Sequence, residues 1–204
     1  MNKTYQQFLK EQSGKTAVYT FGRFNPPTIG HEKLLRVVDT TSSKEGGDYF
    51  VYTSHSQDPK KNPLSHKQTI NFLKLIFSKH RSHIEDSSAV TALHAASDIY
   101  DKGGYTKLMM VVGSDRVRDF SALLNRYNDS KSKHGYYKFD SIEVVSAGER
   151  DPDAEGADGM SASKMRQAVK DSDYDVFKMG LPSGTSDSIS KNLYNAVAKG
   201  MKLE

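Results

Sequence analysis

The chain of 204 residues carries 29 lysines and arginines against 25 aspartates and glutamates, and it contains no cysteine or tryptophan. This length suits one domain with a buried core, and the lack of cysteine excludes disulfides, thiolate catalysis and cysteine zinc sites. Without a long apolar run or a signal-peptide pattern, we expect a cytoplasmic protein that makes no contact with a membrane. The net charge of +4 fits either anionic ligands or an ordinary solvated surface.

Strand and helix patterns alternate along the chain. Apolar and β-branched runs predict strands at residues 16–21, 48–53, 108–112 and 141–145. A weaker run at 83–85 predicts a fifth strand. Helices are predicted to follow Gly30, Ser65 and Ser161 and to cover residues 89–102 and 117–127. This order indicates an α/β fold, a Rossmann-like three-layer α/β/α arrangement with a parallel sheet of about five strands.

The domain organisation follows from the same pattern. No repeat or long low-complexity tract divides the chain, so we predict a single domain over residues 1–204. Residues 1–14 form a predicted N-terminal extension with a short helix, and residues 171–204 form a predicted C-terminal helical part.

The most informative sequence is GRFNPPTIGH, at residues 22–31, between the first predicted strand and the first helix. A glycine-bearing turn before a helix presents free N–H groups and the positive end of the helix dipole to a phosphate. Gly22 and Gly30 allow the backbone to approach a ligand closely, and His31 adds a hydrogen-bond donor. The alternative is a strand-to-helix turn with a capping histidine.

A second sequence, MSASKMR at residues 160–166, predicts another helix start. Ser161 can cap this helix, and two hydroxyls with Lys164 and Arg166 on one turn suit the outer phosphates of a nucleotide. Alone, this motif is more typical of a serine-capped surface helix.

The loops at the carboxyl ends of the predicted strands are expected to meet at one edge of the sheet. In the loop 54–65, Lys60 and Lys61 are candidates for binding a substrate phosphate, with a flexible linker as the alternative. Residues 147–160 contain three glycines and several acidic residues, and we predict a mobile lid there. Asp115 is a candidate for binding a ligand, for capping the helix that follows it, or for both.

These motifs resemble those of the nucleotidyltransferase superfamily of cytidylyltransferases and adenylyltransferases. Residues 28–31 are similar to its (H/T)xGH motif, and residues 160–166 to its SxTxxR motif, with Ser163 in place of threonine. Residues 22–27 resemble the lead-in of nicotinamide-mononucleotide adenylyltransferases, and Asn62 lies in a sequence similar to their substrate loop. The stretch 113–182 resembles nucleotidyltransferase-domain proteins encoded by tailed bacteriophages.

The resemblance implies transfer of AMP or CMP from ATP or CTP to a phosphate-bearing small molecule, with Mg²⁺ on the nucleotide and release of pyrophosphate. It implies that the catalytic residues are His31, Thr28 and Arg166. The nucleotide-binding residues that it implies are Gly22, Arg23, Phe24, Gly30, Gly113, Asp115, Ser161, Ser163 and Lys164. The acceptor-binding residues are Asn25, Lys60, Lys61 and Asn62, and no residue is assigned as a metal ligand.

The acceptor stays open between nicotinamide mononucleotide, another phosphometabolite and a polyol phosphate. Nicotinamide-mononucleotide adenylyltransferases often stack the nicotinamide on a tryptophan, which this chain lacks, and Tyr52 or Phe24 could supply the aromatic face instead. The alternative function is a phage virion or assembly protein that keeps a nucleotide-binding fold without turnover. We expect no nucleic-acid partner, while a homo-oligomer, association with a virion and a location in a host cytoplasm stay open.

Overall fold

The computed structural model describes residues 14–148 and 159–203. At its centre lies a parallel sheet of four strands in the order β2-β1-β3-β4. The strands are β1 (Lys15–Gly22), β2 (Asp48–Thr53), β3 (Tyr105–Val112) and β4 (Ser141–Ser146). This sheet, with helices on both faces, confirms the predicted Rossmann-like α/β fold, but the described residues give it four strands rather than about five.

The prediction of a fifth strand at residues 83–85 was wrong. Residues Ser78–His83 form a 3₁₀ helix, and Ile84 makes a single parallel bridge to Val51 at the edge of β2. In this run only Ile84 is a buried apolar residue, and four polar residues follow it. One buried side chain anchors one bridge to the sheet, whereas a full strand needs a longer alternating run.

Helices cover both faces of the sheet. Helices α1 (Ile29–Glu45) and α2 (His66–Ile76) lie on one face, and α3 (Ala92–Lys102) and α4 (Val117–Tyr127) lie on the other. Successive side chains of a strand point to opposite faces. Leu108 and Met110 of β3 therefore pack with α3, while Met109 and Val111 pack with α1 and α2. Burial on both faces explains the continuous apolar run in β3.

Three further helices follow the sheet: α5 (Ala162–Lys170), α6 (Tyr174–Met179) and α7 (Asp187–Gly200). Their apolar side chains form a separate core cluster that includes Leu64 of the loop after β2. Gly200 lies directly against the backbone of Pro63, leaving no room for a Cβ atom. These helices therefore hold the loop after β2 in place. None of the helices in the described part of the chain has the length and apolar character needed to cross a bilayer.

Candidate active site

The order of the sheet reverses between β1 and β3, because the chain runs from β1 to β2 on one side and then crosses to β3 on the other. In open α/β sheets, ligands bind in the crevice that this reversal leaves at the carboxyl ends of the strands. A cavity of about 500 Å³ lies at this point. The ends of β1 and β3, the first turns of α1 and α5 and the loop after β2 form its walls.

Most of the site residues predicted from the sequence line this one cavity. They are Gly22, Arg23, Phe24, Asn25, His31, Lys61, Asn62, Gly113, Ser161, Ser163 and Arg166. The two sequence motifs thus meet, although they are far apart in the chain. Further lining residues include Phe21, Leu34, Ser54, Ser56, Arg116 and Phe120, which the sequence analysis did not assign.

Five predicted residues lie outside the cavity wall: Thr28, Gly30, Lys60, Asp115 and Lys164. Lys60 is exposed on the turn after β2, and Lys164 is exposed on α5. Asp115 lies exposed in the 3₁₀ turn Ser114–Arg116. The helix α4 has Arg116 as its N-cap and no side-chain cap, so the capping role considered for Asp115 was wrong.

Thr28 and His31 form a capping box at the start of α1. The Thr28 hydroxyl accepts the His31 backbone N–H at 3.4 Å, and the Thr28 backbone N–H donates to Nδ1 of His31 at 2.9 Å. Because a backbone N–H can only donate, Nδ1 is an acceptor, and the proton of the neutral imidazole resides on Nε2. Buried Thr28 therefore fixes the tautomer and orientation of His31, whose side chain lines the cavity.

The ring of Phe24 packs against the imidazole of His31, with ring centroids 4.7 Å apart and planes inclined by 50°. Phe24 has a backbone φ of 47°, a left-handed conformation that is unfavourable for a bulky residue. Its ring is 1% exposed, so burial of the ring offsets this cost. Phe24 thus packs against His31 and offers little exposed surface on which a ligand ring could stack.

The other aromatic residue considered for stacking, Tyr52, lies outside the cavity. It is buried in the core on the α3 face of the sheet, where its hydroxyl donates to Asp98 at 2.6 Å. The half-buried rings at the cavity wall are those of Phe21 and Phe120. The Arg116 guanidinium lies 5.8 Å from the Phe120 ring, which is within the range of a cation–π interaction.

Gly22 leaves the space that the Phe24 ring occupies. A Cβ atom at Gly22 would lie 2.8 Å from Cε2 of Phe24. We therefore expect Gly22→Ala to displace the Phe24 ring and to lower the free energy of unfolding by about 1–3 kcal/mol, as measured by urea denaturation. Gly184→Ala is the matched control, because a Cβ at Gly184 meets nothing within 4 Å. Equal stability of the two variants would contradict this account of Gly22.

Arg166 projects from α5 and is held in place by two hydrogen bonds. Nη1 donates to the backbone carbonyl of Asn25 at 2.7 Å, and Nη2 donates to the Ser163 hydroxyl at 3.0 Å. Burial, and secondarily the positive charge of Arg23, lower the pKa of the Arg166 guanidinium from its usual value. Two cations that repel each other inside a cavity are stabilised when an anion binds between them.

The cavity wall carries an excess of positive charge. It includes Arg23, Lys61, Arg116 and Arg166, whereas no aspartate or glutamate of the described ranges lines it. The first turns of α1 and α5, which also line it, add the positive ends of two helix dipoles. Ser161 caps α5 by accepting the Lys164 backbone N–H at 3.2 Å. This arrangement suits a polyanion such as a string of phosphates.

Comparison with known protein families agrees with this geometry. Residues 19–168 match the family model described as cytidylyltransferase-like. The chain belongs to the cytidylyltransferase-like family. This membership confirms the predicted superfamily and identifies the protein as a nucleotidyltransferase. The matched range contains both motifs and every residue that lines the cavity. The comparison with curated proteins gave no match.

In this cytidylyltransferase-like protein, the loop after β2 forms one side of the cavity. Asp58 organises its turn: Oδ1 accepts the backbone N–H groups of Lys60 and Lys61, and Oδ2 accepts the side-chain N–H of Asn62 at 2.7 Å. The opposite side-chain atom, Oδ1 of Asn62, is buried and has no hydrogen-bond partner among the described residues. A buried acceptor without a partner is costly, and a ligand donor would satisfy it.

Within residues 14–148 and 159–203, no group of three or more histidine, aspartate or glutamate side chains is placed to hold a metal ion. These residues therefore offer no metal-binding cage. The predicted lid at 147–160 falls mostly on residues 149–158, which lie outside the described ranges.

Proposed function

We propose that the protein transfers a nucleotidyl group, AMP in preference to CMP, from a nucleoside triphosphate to a phosphate-bearing small molecule. The observation that carries this proposal is the cavity at the sheet reversal, where four cationic side chains face the space and no described carboxylate does. A triphosphate and an acceptor phosphate together supply the negative charge that such a wall requires. ATP is preferred because residues 22–27 resemble the lead-in of adenylyltransferases.

In the proposed reaction, an oxygen of the acceptor phosphate attacks the alpha-phosphorus of the triphosphate in line. The bond from this phosphorus to the bridging oxygen breaks, and pyrophosphate leaves with the electron pair. No protein nucleophile is needed, because positioning and charge stabilisation provide most of the catalysis in such transfers. The Nε2–H of His31 donates to an alpha-phosphate oxygen as negative charge develops there.

The departing pyrophosphate is assigned to the α5 side of the cavity. Arg166 is oriented by its two hydrogen bonds and keeps further N–H groups for a phosphate oxygen. Arg23 and the Ser163 hydroxyl line the same region. In this scheme Thr28 acts through His31, since it is buried and lies outside the cavity wall.

We assign the acceptor to the loop after β2, where Lys61 and Asn62 line the cavity and the buried side-chain oxygen of Asn62 has no hydrogen-bond partner among the described residues. Lys61 would bind the acceptor phosphate, and Asn62 would accept a hydrogen bond from an amide or hydroxyl of the acceptor. Nicotinamide mononucleotide has both groups and is our first candidate. Magnesium would enter with the triphosphate and would offset part of its negative charge.

The proposal is tested by measuring pyrophosphate release with ATP and with CTP against a panel of phosphate-bearing acceptors. We expect release above background with ATP and at least one acceptor, and the His31→Ala variant purified in the same way sets that background. Binding of triphosphate with no release across the panel would favour the alternative, a virion or assembly protein that keeps a nucleotide pocket. Failure of any triphosphate to bind would overturn the proposed site.

A further inference from the structure

The side chain of Asn25 clamps the loop after β2. Its Nδ2 donates to the backbone carbonyl of Leu64 at 2.9 Å, and its Oδ1 accepts the Leu64 backbone N–H at 3.0 Å. Asn25 is 4% exposed and Leu64 is fully buried. Both ends of the Asn25 amide are thus engaged by the backbone of one residue, so the side chain holds the loop rather than a ligand.

The backbone of Asn25 makes a second connection, to the opposite wall of the cavity. Its carbonyl oxygen accepts Nη1 of Arg166 at 2.7 Å, and the Arg166 guanidinium also bonds to Ser163 in the first turn of α5. A charge-assisted hydrogen bond of this length is among the stronger ones in proteins. Asn25 therefore lies between the cationic wall at α5 and the loop after β2.

A shift of Leu64 would also move residues that line the cavity, because the turn before Leu64 is held together by hydrogen bonds. The carboxylate of Asp58 accepts hydrogen bonds from Lys60, Lys61 and Asn62. Lys61 and Asn62 line the cavity, and Leu64 follows Asn62 by two residues. The position of Leu64 thus limits where the Lys61 and Asn62 side chains can lie.

We propose that Asn25 is a positioning residue that couples the two sides of the cavity. An anion that binds Arg166 restrains the guanidinium, then the Asn25 peptide, and through the side-chain clamp the loop 58–64. By linkage, the loop in its clamped position also raises the affinity of Arg166 for the anion. This inference rests on the proposed function in that it requires a phosphate to bind at Arg166. It predicts that a bound triphosphate holds the loop 58–64 in its clamped position before the acceptor binds.

Amide hydrogen exchange in the full chain tests this coupling, with inorganic pyrophosphate as the probe. In the wild type, saturating pyrophosphate is expected to slow exchange of the amides in residues 58–64 by about 5-fold or more, the lower range of allosteric coupling. In Asn25→Ala, pyrophosphate should still bind but should no longer slow their exchange. Asn25→Asp keeps the acceptor for the Leu64 N–H and loses the donor, so we expect an intermediate response.

Asn128 provides a matched control. Its side chain makes the same two-way clamp, with Nδ2 donating to the Phe139 carbonyl at 2.9 Å and Oδ1 accepting the Phe139 N–H at 2.9 Å. Asn128 does not line the cavity. Asn128→Ala should lose stability as Asn25→Ala does, yet keep the response of residues 58–64 to pyrophosphate.

The outcomes separate this inference from the proposed function. Binding of pyrophosphate to the wild type without slower exchange in 58–64 would overturn the coupling alone. The same holds for an undiminished response in Asn25→Ala, or an equal loss of response in Asn128→Ala. Failure of the wild type to bind pyrophosphate would overturn the phosphate site at Arg166, and the coupling with it.

Discussion

Replacement of His31 by alanine is expected to lower turnover about 100- to 1000-fold, the usual cost of removing one preorganised donor to a developing oxyanion. The Thr28 backbone N–H holds Nδ1 of His31, and the Phe24 ring packs against the imidazole, so Nε2–H is positioned before substrate binds. His31 is only half-buried, and its loss should leave the fold intact. Steady-state pyrophosphate release and a thermal melting curve measure the two effects.

His94 is a matched control for this variant. It occupies the same position in helix α3 as His31 does in α1, three residues after a threonine N-cap that accepts its backbone N–H. Its Nδ1 lies 2.8 Å from the Thr91 hydroxyl, and it does not line the cavity. His94→Ala should retain wild-type turnover. Near-normal turnover in His31→Ala, or an equal loss in both variants, would contradict the role assigned to His31.

The strands could be predicted from the sequence wherever burial produces a continuous pattern. The runs predicted at 48–53 and 141–145 match β2 and β4 to within one residue. Strand β3 begins at Tyr105, three residues before its predicted start. The apolar pattern missed these first residues because they are polar or partly exposed. Tyr105 is stabilised there by donating its hydroxyl proton to Asp48 at 2.6 Å, a contact between strands that apolar patterning cannot reveal.

The start of helix α3 was predicted three residues too early. The apolar pattern suggested a beginning at residue 89, and Ala89 is indeed buried. The helix begins at Ala92 because the hydroxyl of Thr91 accepts the His94 backbone N–H and caps the first turn. Hydrophobic pattern reports which side chains are buried, whereas the helix boundary is determined by the satisfaction of free N–H groups.

The sequence predicts those cavity residues that belong to local motifs. A turn before a helix is recognisable in a sequence, and the expected convergence of loops at one sheet edge brought both motifs to the same place. Phe21 and Phe120 were missed because their places at the wall depend on strand order and helix packing. The supporting role of Phe24 depends on its side-chain rotamer and its positive φ, and no sequence pattern specifies these.

Arg166→Lys is expected to weaken ATP binding about 10- to 150-fold, the range that corresponds to losing a hydrogen bond to a charged group. The guanidinium bonds at once to the Asn25 carbonyl and the Ser163 hydroxyl, and Arg166 lines the cavity. A lysine ammonium is a point charge without this planar fork, so it cannot hold both partners and a phosphate in the same geometry. Isothermal titration with ATP measures the change in affinity.

Arg126→Lys is the control for this substitution, because Arg126 is exposed on α4 and lies outside the cavity wall. It should bind ATP as the wild type does. Arg166→Ala should bind ATP no more tightly than Arg166→Lys, because alanine removes the positive charge as well as the planar fork. Wild-type affinity in Arg166→Ala would remove Arg166 from the triphosphate site. Wild-type affinity in Arg166→Lys, combined with a loss in Arg166→Ala, would mean that a positive charge suffices and that the oriented guanidinium geometry is not required.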